Sequence, residues 1–92
     1  MSETPQDTGL ITVLVERLEK QRLPLALRLK DKVDRGERLE DLELRHLQEM
    51  LSDATHVAPM LERHPEYKDL AARVLHLYKE ITDKALENEK RG

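Results

Sequence analysis

The sequence predicts an all-α fold, a bundle of three to four helices with short connections. Three observations carry that prediction. Apolar residues recur in steps of three and four over Leu44, Leu47, Leu51, Ala54, Ala58 and Leu61, and again over Tyr67, Leu70, Ala71, Val74, Leu77, Tyr78, Ile81 and Ala85. Such spacing draws a stripe along a helix, whereas a strand alternates faces. With Tyr67 and Tyr78 as the only aromatic residues, the core must be built from Leu, Val, Ile, Ala and Met, which suits helix-on-helix packing. Finally, Pro24, Gly36 and Pro65 fall where helices start or stop.

The elements follow in order. Residues 1–8 are polar, contain Pro5 and read as a flexible arm. From Gly9, the segment Leu10, Ile11, Val13, Leu14, Val15 and Leu18 is strongly apolar. Its β-branched residues would tolerate a strand, but no second strand is available to pair with it, so it is read as a first helix. Pro24 restricts Leu23 to extended geometry and opens a second helix, with Leu25, Leu29 and Val33 facing inward and Ala26 beside them. Gly36 stops that helix, because only glycine enters the left-handed cap conformation without steric cost.

A third helix begins near Asp41 as N-cap, with Glu40 and Glu43 at the positive end of its dipole, and runs to about Arg63. Pro59 lies inside it and predicts a kink or break around Thr55 to Ala58. Pro65 opens a fourth helix that runs to about Asn88. The single domain is expected over residues 9–89, with a tail at 90–92. Its predicted core is Leu44, Leu47, Leu51, Leu61, Leu70, Val74 and Ile81.

Length and composition narrow the function classes. Ninety-two residues build one core and leave no room for a two-domain enzyme. Charged residues make up 38% of the chain, yet the net charge is only -3, so both signs are interspersed over helix surfaces. The absence of cysteine excludes disulfides, thiolate metal sites and cysteine nucleophiles. No signal segment and no apolar run of membrane-spanning length is visible, which makes the cytoplasm the expected location.

Candidates for chemistry are few. Glu43 and His46 form a Glu-x-x-His pair on one helical face, half of what a di-iron carboxylate bundle uses, and a dimer would supply the other half. His76 with Glu80 extends the metal-binding alternative to Glu43, His46 and His76, although three converging ligands are not predicted by their spacing. Ser52 has no glycine-rich elbow around it, and three glycines cannot furnish a phosphate-cradling loop. The basic stretch Arg17, Lys20, Arg22, Arg28, Lys30 and Lys32 offers a weaker nucleic-acid alternative. A helix-turn-helix reading of the second and third helices meets Glu40, Asp41 and Glu43 at the end that would approach bases.

The run Arg22, Leu23, Pro24, Leu25, Ala26, Leu27, Arg28, Leu29, Lys30, then Lys32, Val33, Arg35, Gly36, Glu37, Arg38, Leu39, to Asp41 and Leu47, resembles a pattern in short uncharacterised bacterial helical proteins. His64, Pro65, Glu66, Tyr67 and Leu77 to Ile81 resemble its second half. The resemblance implies a small cytosolic helical protein with no catalytic residue and no cofactor to carry over. It also implies a small capping residue where this chain has Glu40.

The functional expectation is a non-enzymatic protein-interaction or regulatory module that self-associates or docks on a protein through the first helix and the exposed side of the second and third. Leu10, Leu14 and Leu18 are its apolar contact residues, and Arg17, Arg28 and Lys32 are its charged ones. The apolar surplus of the first helix motivates this choice.

Overall fold

The computed structural model describes residues 5–91, and every regular element among them is helical. Three long helices form the bundle. Helix α1 is one unbroken run from Pro5 to Asp34, composed of α-helix Pro5–Arg17, a π turn Leu18–Arg22 and α-helix Leu23–Asp34. Helix α2 spans Asp41–Val57 and helix α3 spans Lys68–Arg91. The first two expected helices are therefore one, and Leu23 is helical (φ -64°, ψ -47°), not extended.

The π turn explains why Pro24 fails to divide the chain. A proline inside an α-helix lacks its own N–H and presses its ring against the carbonyl four residues back. Here the Leu23 N–H reaches back to the Leu18 carbonyl, five residues away, and the widened turn makes room for the ring. Helix α1 also starts at Pro5, so residues 5–8 belong to it and not to an arm. Residues 1–4, the rest of the expected arm, lie outside the described residues.

Gly36 ends α1 as predicted. Its φ is +89°, and its N–H donates to the Val33 carbonyl at 2.9 Å. At the start of α2 the N-cap is Glu40, one residue before the expected Asp41. The Glu43 carboxylate accepts the Glu40 N–H at 2.8 Å in a capping box, so the chain needs no small capping residue there. Pro59 shortens α2: the α-helix stops at Val57 and tightens into a 3-10 turn, Ala58–Met60, well before Arg63. Pro65 opens only a second 3-10 turn, Pro65–Tyr67, and α3 follows from Lys68 to Arg91, three residues beyond Asn88.

Ion pairs set the helix directions. Arg17 to Asp53, Arg22 to Glu49 and Lys32 to Glu43 step down α2 as they step up α1, so the two are antiparallel. Asn88, near the end of α3, reaches Val33 near the end of α1, so those two run parallel. The product is a slender rod of 53 × 19 × 15 Å.

The core runs through Ile11, Leu14, Val15, Leu18, Ala26, Leu29 and Val33 of α1, Leu47, Met50, Ala54 and Val57 of α2, and Val74, Leu77 and Ile81 of α3. Of the predicted core, Leu47, Val74 and Ile81 are buried, while Leu51, Leu61 and Leu70 are half-buried. Leu44 is exposed. The inner stripe of α2 is centred on Leu47, Met50, Ala54 and Val57, about 40–60° around the helix from the predicted ladder, because α1 draws Met50 and Val57 inward on its side.

Candidate interaction surface

The first helical segment does not offer the contact surface expected of it. Leu14 is 6% exposed and Leu18 1%, both within the monomer's own core. Leu10 alone of the three apolar candidates is exposed, beside Val13. The long α1 covers its apolar stripe with α2 and α3, which accounts for the surplus. Among the charged candidates, Arg17 is bound to Asp53, Lys32 is bound to Glu43 and Arg28 is exposed.

Arg17 and Arg22 converge on one acceptor. Arg17 donates to both Asp53 oxygens at 2.9 and 3.0 Å, and Arg22 donates to Asp53 at 3.1 Å and to Glu49 at 3.2 Å. Residues five apart in a regular α-helix lie about 140° apart around the axis. The π turn between them brings both guanidinium groups to the α2 side. Asp53, buried at the edge of the α2 stripe, thereby fixes α1 and α2 in register. This buried charge was not singled out from sequence, although its spacing from Met50 (three) and Val57 (four) places it beside the inner stripe.

Two further buried polar residues were missed. Asn88 donates its side-chain amide to the Val33 and Glu37 carbonyls, both at 2.9 Å, capping the end of α1 from α3. His64 is buried in the α2–α3 connection, where its N–H meets the Met60 carbonyl and Glu66 stands 3.9 Å from its ring. Asn88 lies seven residues beyond Ile81, so it continues the α3 stripe. Nothing in the local sequence marks His64.

The metal-ligand candidates are not brought together. Glu43 is committed to the Glu40 N–H and to Lys32, 2.9 Å away. Burial works against its charged form, but those two donors outweigh it and hold its pKa below the usual glutamate value. His46 stands 3.5 Å from Glu49 on the α1–α2 side. His76 stands 3.4 Å from Glu80 on the α1–α3 side. Among the described residues no three His, Asp or Glu side chains group as metal ligands. The basic stretch is likewise largely spent within the fold, since Arg17, Arg22, Lys30 and Lys32 all hold carboxylates.

Apart from Leu42 at the start of α2, 58% exposed, the large exposed apolar residues among the described residues occur in three places. Leu10 and Val13 sit at the start of the rod, with Glu16, Arg17 and Lys20 around Val13. Leu27 faces a groove between α1 and α3 that also holds Arg73, His76 and Glu80. The third is different. On the side of the rod facing away from α1, Leu44 lines a groove of about 270 Å³ with Leu39, Thr82, Ala85, Leu86 and, at its end, Glu89.

From that groove two stripes run along the antiparallel pair at alternating steps of four and three: Leu44, Gln48, Leu51 and Thr55 on α2, continued by Ala58 just past its end, and Leu75, Tyr78, Thr82 and Ala85 on α3, with Leu86 beside the last. None of these residues is charged, in a chain whose composition is 38% charged. Leu44, Leu75 and Leu86 are 41, 46 and 57% exposed. The two threonines add to the apolar character. Thr55 donates its hydroxyl to the Leu51 carbonyl at 2.8 Å and Thr82 to the Tyr78 carbonyl at 2.9 Å, so both hydroxyls are satisfied within their own helices. The steps of four and three are those by which one helix seats another.

Among the described residues no helix is long and apolar enough to cross a membrane. Comparison with protein-family models, with curated proteins and with solved structures found no match.

Proposed function

We propose that the protein is a non-enzymatic interaction module whose working surface is the outer face of α2 and α3, built to seat a helical partner. The observation that carries the reading is the uncharged double stripe of Leu44, Leu51, Leu75, Tyr78 and Leu86, with its threonine hydroxyls turned back into the helices. Leu44 and Leu51, seven residues apart, and Leu75 and Leu86 on α3 gain by burial against a further helix, about 25 cal/mol per Å² of apolar surface removed from water. Ion pairs hold many of the charged groups to one another along the rod, away from this face.

Site-specific photocrosslinking tests the reading. A photoreactive phenylalanine analogue placed at Leu75 or Leu86, in the chain expressed in its own cells, is expected to give discrete adducts. The same analogue at Leu27 is expected to give none. Equal labelling from all three positions, or adducts from Leu27 alone, would contradict the assignment of the face.

A further inference from the structure

We infer that the partner seated on this face is a second copy of the chain, related by a two-fold axis that crosses the rod between Leu51 and Tyr78. This inference rests on the reading of the α2–α3 face as a docking surface and adds the identity of its occupant. An isologous contact requires a patch complementary to itself. Each stripe meets that requirement when inverted about its centre. On α2, whose stripe is centred on Leu51, Leu44 then opposes Ala58 and Gln48 opposes Thr55. On α3, centred on Tyr78, Leu75 opposes Thr82. Leu44 against Ala58 and Leu75 against Thr82 each set a large residue on a smaller one, which is how facing layers interdigitate.

Charge agrees with the same arrangement. Lys68 lies on the Leu75 ridge, seven residues earlier, and the inversion carries it to the far end of the other copy's α3, where Glu89 closes the groove. Helix polarity agrees too. Because α2 and α3 are antiparallel, the two-fold places each helix antiparallel to its neighbour within the chain and to its mate across the interface, so the macrodipoles oppose throughout.

The size of the face sets the expected strength. A stripe from Leu44 to Ala58 is about 21 Å long at 1.5 Å per residue. Two helices packed side by side are about 20 Å wide, so the two copies together cover about 800–1,000 Å². That is the low end for specific association, where contacts are reversible.

Sedimentation equilibrium of the full chain over roughly 5 to 500 µM tests the inference at concentrations suited to such an interface. The weight-average mass is expected to rise from 10.8 kDa toward twice that value. Leu75→Glu and Leu86→Glu, each at a half-exposed position and each checked for unchanged helicity by circular dichroism, are expected to hold the mass at that of one chain. Leu27→Glu, on the other flank, is expected to dimerise like the parent. A parent chain that stays monomeric throughout would overturn the second copy as occupant. Photocrosslinks from Leu75 at a mass other than two chains would then leave the docking face standing. A dimer that survives both Leu75→Glu and Leu86→Glu would overturn the face itself.

Discussion

Replacing Asp53 with alanine tests how the rod holds its register. The carboxylate accepts three hydrogen bonds from two guanidinium groups, at 2.9, 3.0 and 3.1 Å, and is 9% exposed at its side chain. Breaking a buried ion pair from one side costs about 3–5 kcal/mol, because the opposite charge is left buried without an acceptor. That cost is reduced here. Arg17 is 39% exposed and Arg22 19%, and Arg22 keeps Glu49, so both can turn toward water. We expect a loss of about 2–3 kcal/mol, a large share of the roughly 5–14 kcal/mol available to a domain of this size.

Urea unfolding followed by helical ellipticity gives the number, and the melting temperature should fall by about 10–20 °C. Two companions sharpen the reasoning. Asp53→Asn keeps one acceptor and should lose less, and the triple change Arg17→Met, Arg22→Met and Asp53→Leu removes all three charges and should recover most of the stability. A loss under about 1 kcal/mol for Asp53→Ala, or no recovery in the triple variant, would refute the claim that this cluster pins α1 to α2.

Other perturbations separate fold from function. Gly36→Ala introduces a Cβ whose nearest neighbour is Arg91 Nη2 at 4.0 Å, so its cost is the left-handed conformation alone, about 1–2 kcal/mol by chemical denaturation. Leu14→Glu or Leu18→Glu should unfold the chain, since both side chains are core; preserved helicity with lost association would restore the first helical segment as the contact surface. Glu43 has a folded pKa below the ordinary 4.5, so its contribution is present above that value and is lost as pH falls through the folded pKa. Glu43→Gln should therefore lower stability at neutral pH and flatten the acid limb of the stability profile; an unchanged limb would contradict the role given to Lys32 and the Glu40 amide.

Helix content, the stop of α1 and the start of α2 were legible because they depend on local rules. Gly36 stops α1 by its backbone freedom, and the α3 stripe through Val74, Leu77 and Ile81 reads directly from its spacing. The fusion of the first two helices was not legible. Pro24 carries a strong local signal for a helix start, and only a π turn four residues upstream, held by Arg17 and Arg22 on Asp53, overrides it. The same tertiary event turned Ile11, Leu14, Val15 and Leu18 from an apparent interface into core, while Leu10 and Val13 stay exposed.

The proposed contact face escaped for a related reason. The inner and outer stripes of α2 differ by about one position, Leu47 and Met50 against Leu44 and Leu51, so a ladder of steps of three and four fits both. Deciding which stripe faces inward requires knowing on which side α1 lies. Charge offered a clue that periodicity did not: Leu44, Gln48, Leu51 and Thr55 lack the charges that mark the solvated sides of these helices.

The most direct test is to follow backbone amide chemical shifts of uniformly labelled protein as it is diluted from about 500 to about 10 µM, a range chosen to bracket a weak contact of this size. The account predicts that the concentration-dependent shifts cluster on Leu44, Gln48, Leu51, Leu75, Tyr78, Thr82 and Leu86. Shifts confined to Leu10 and Val13 or to the Leu27 groove, or none at all, would contradict it.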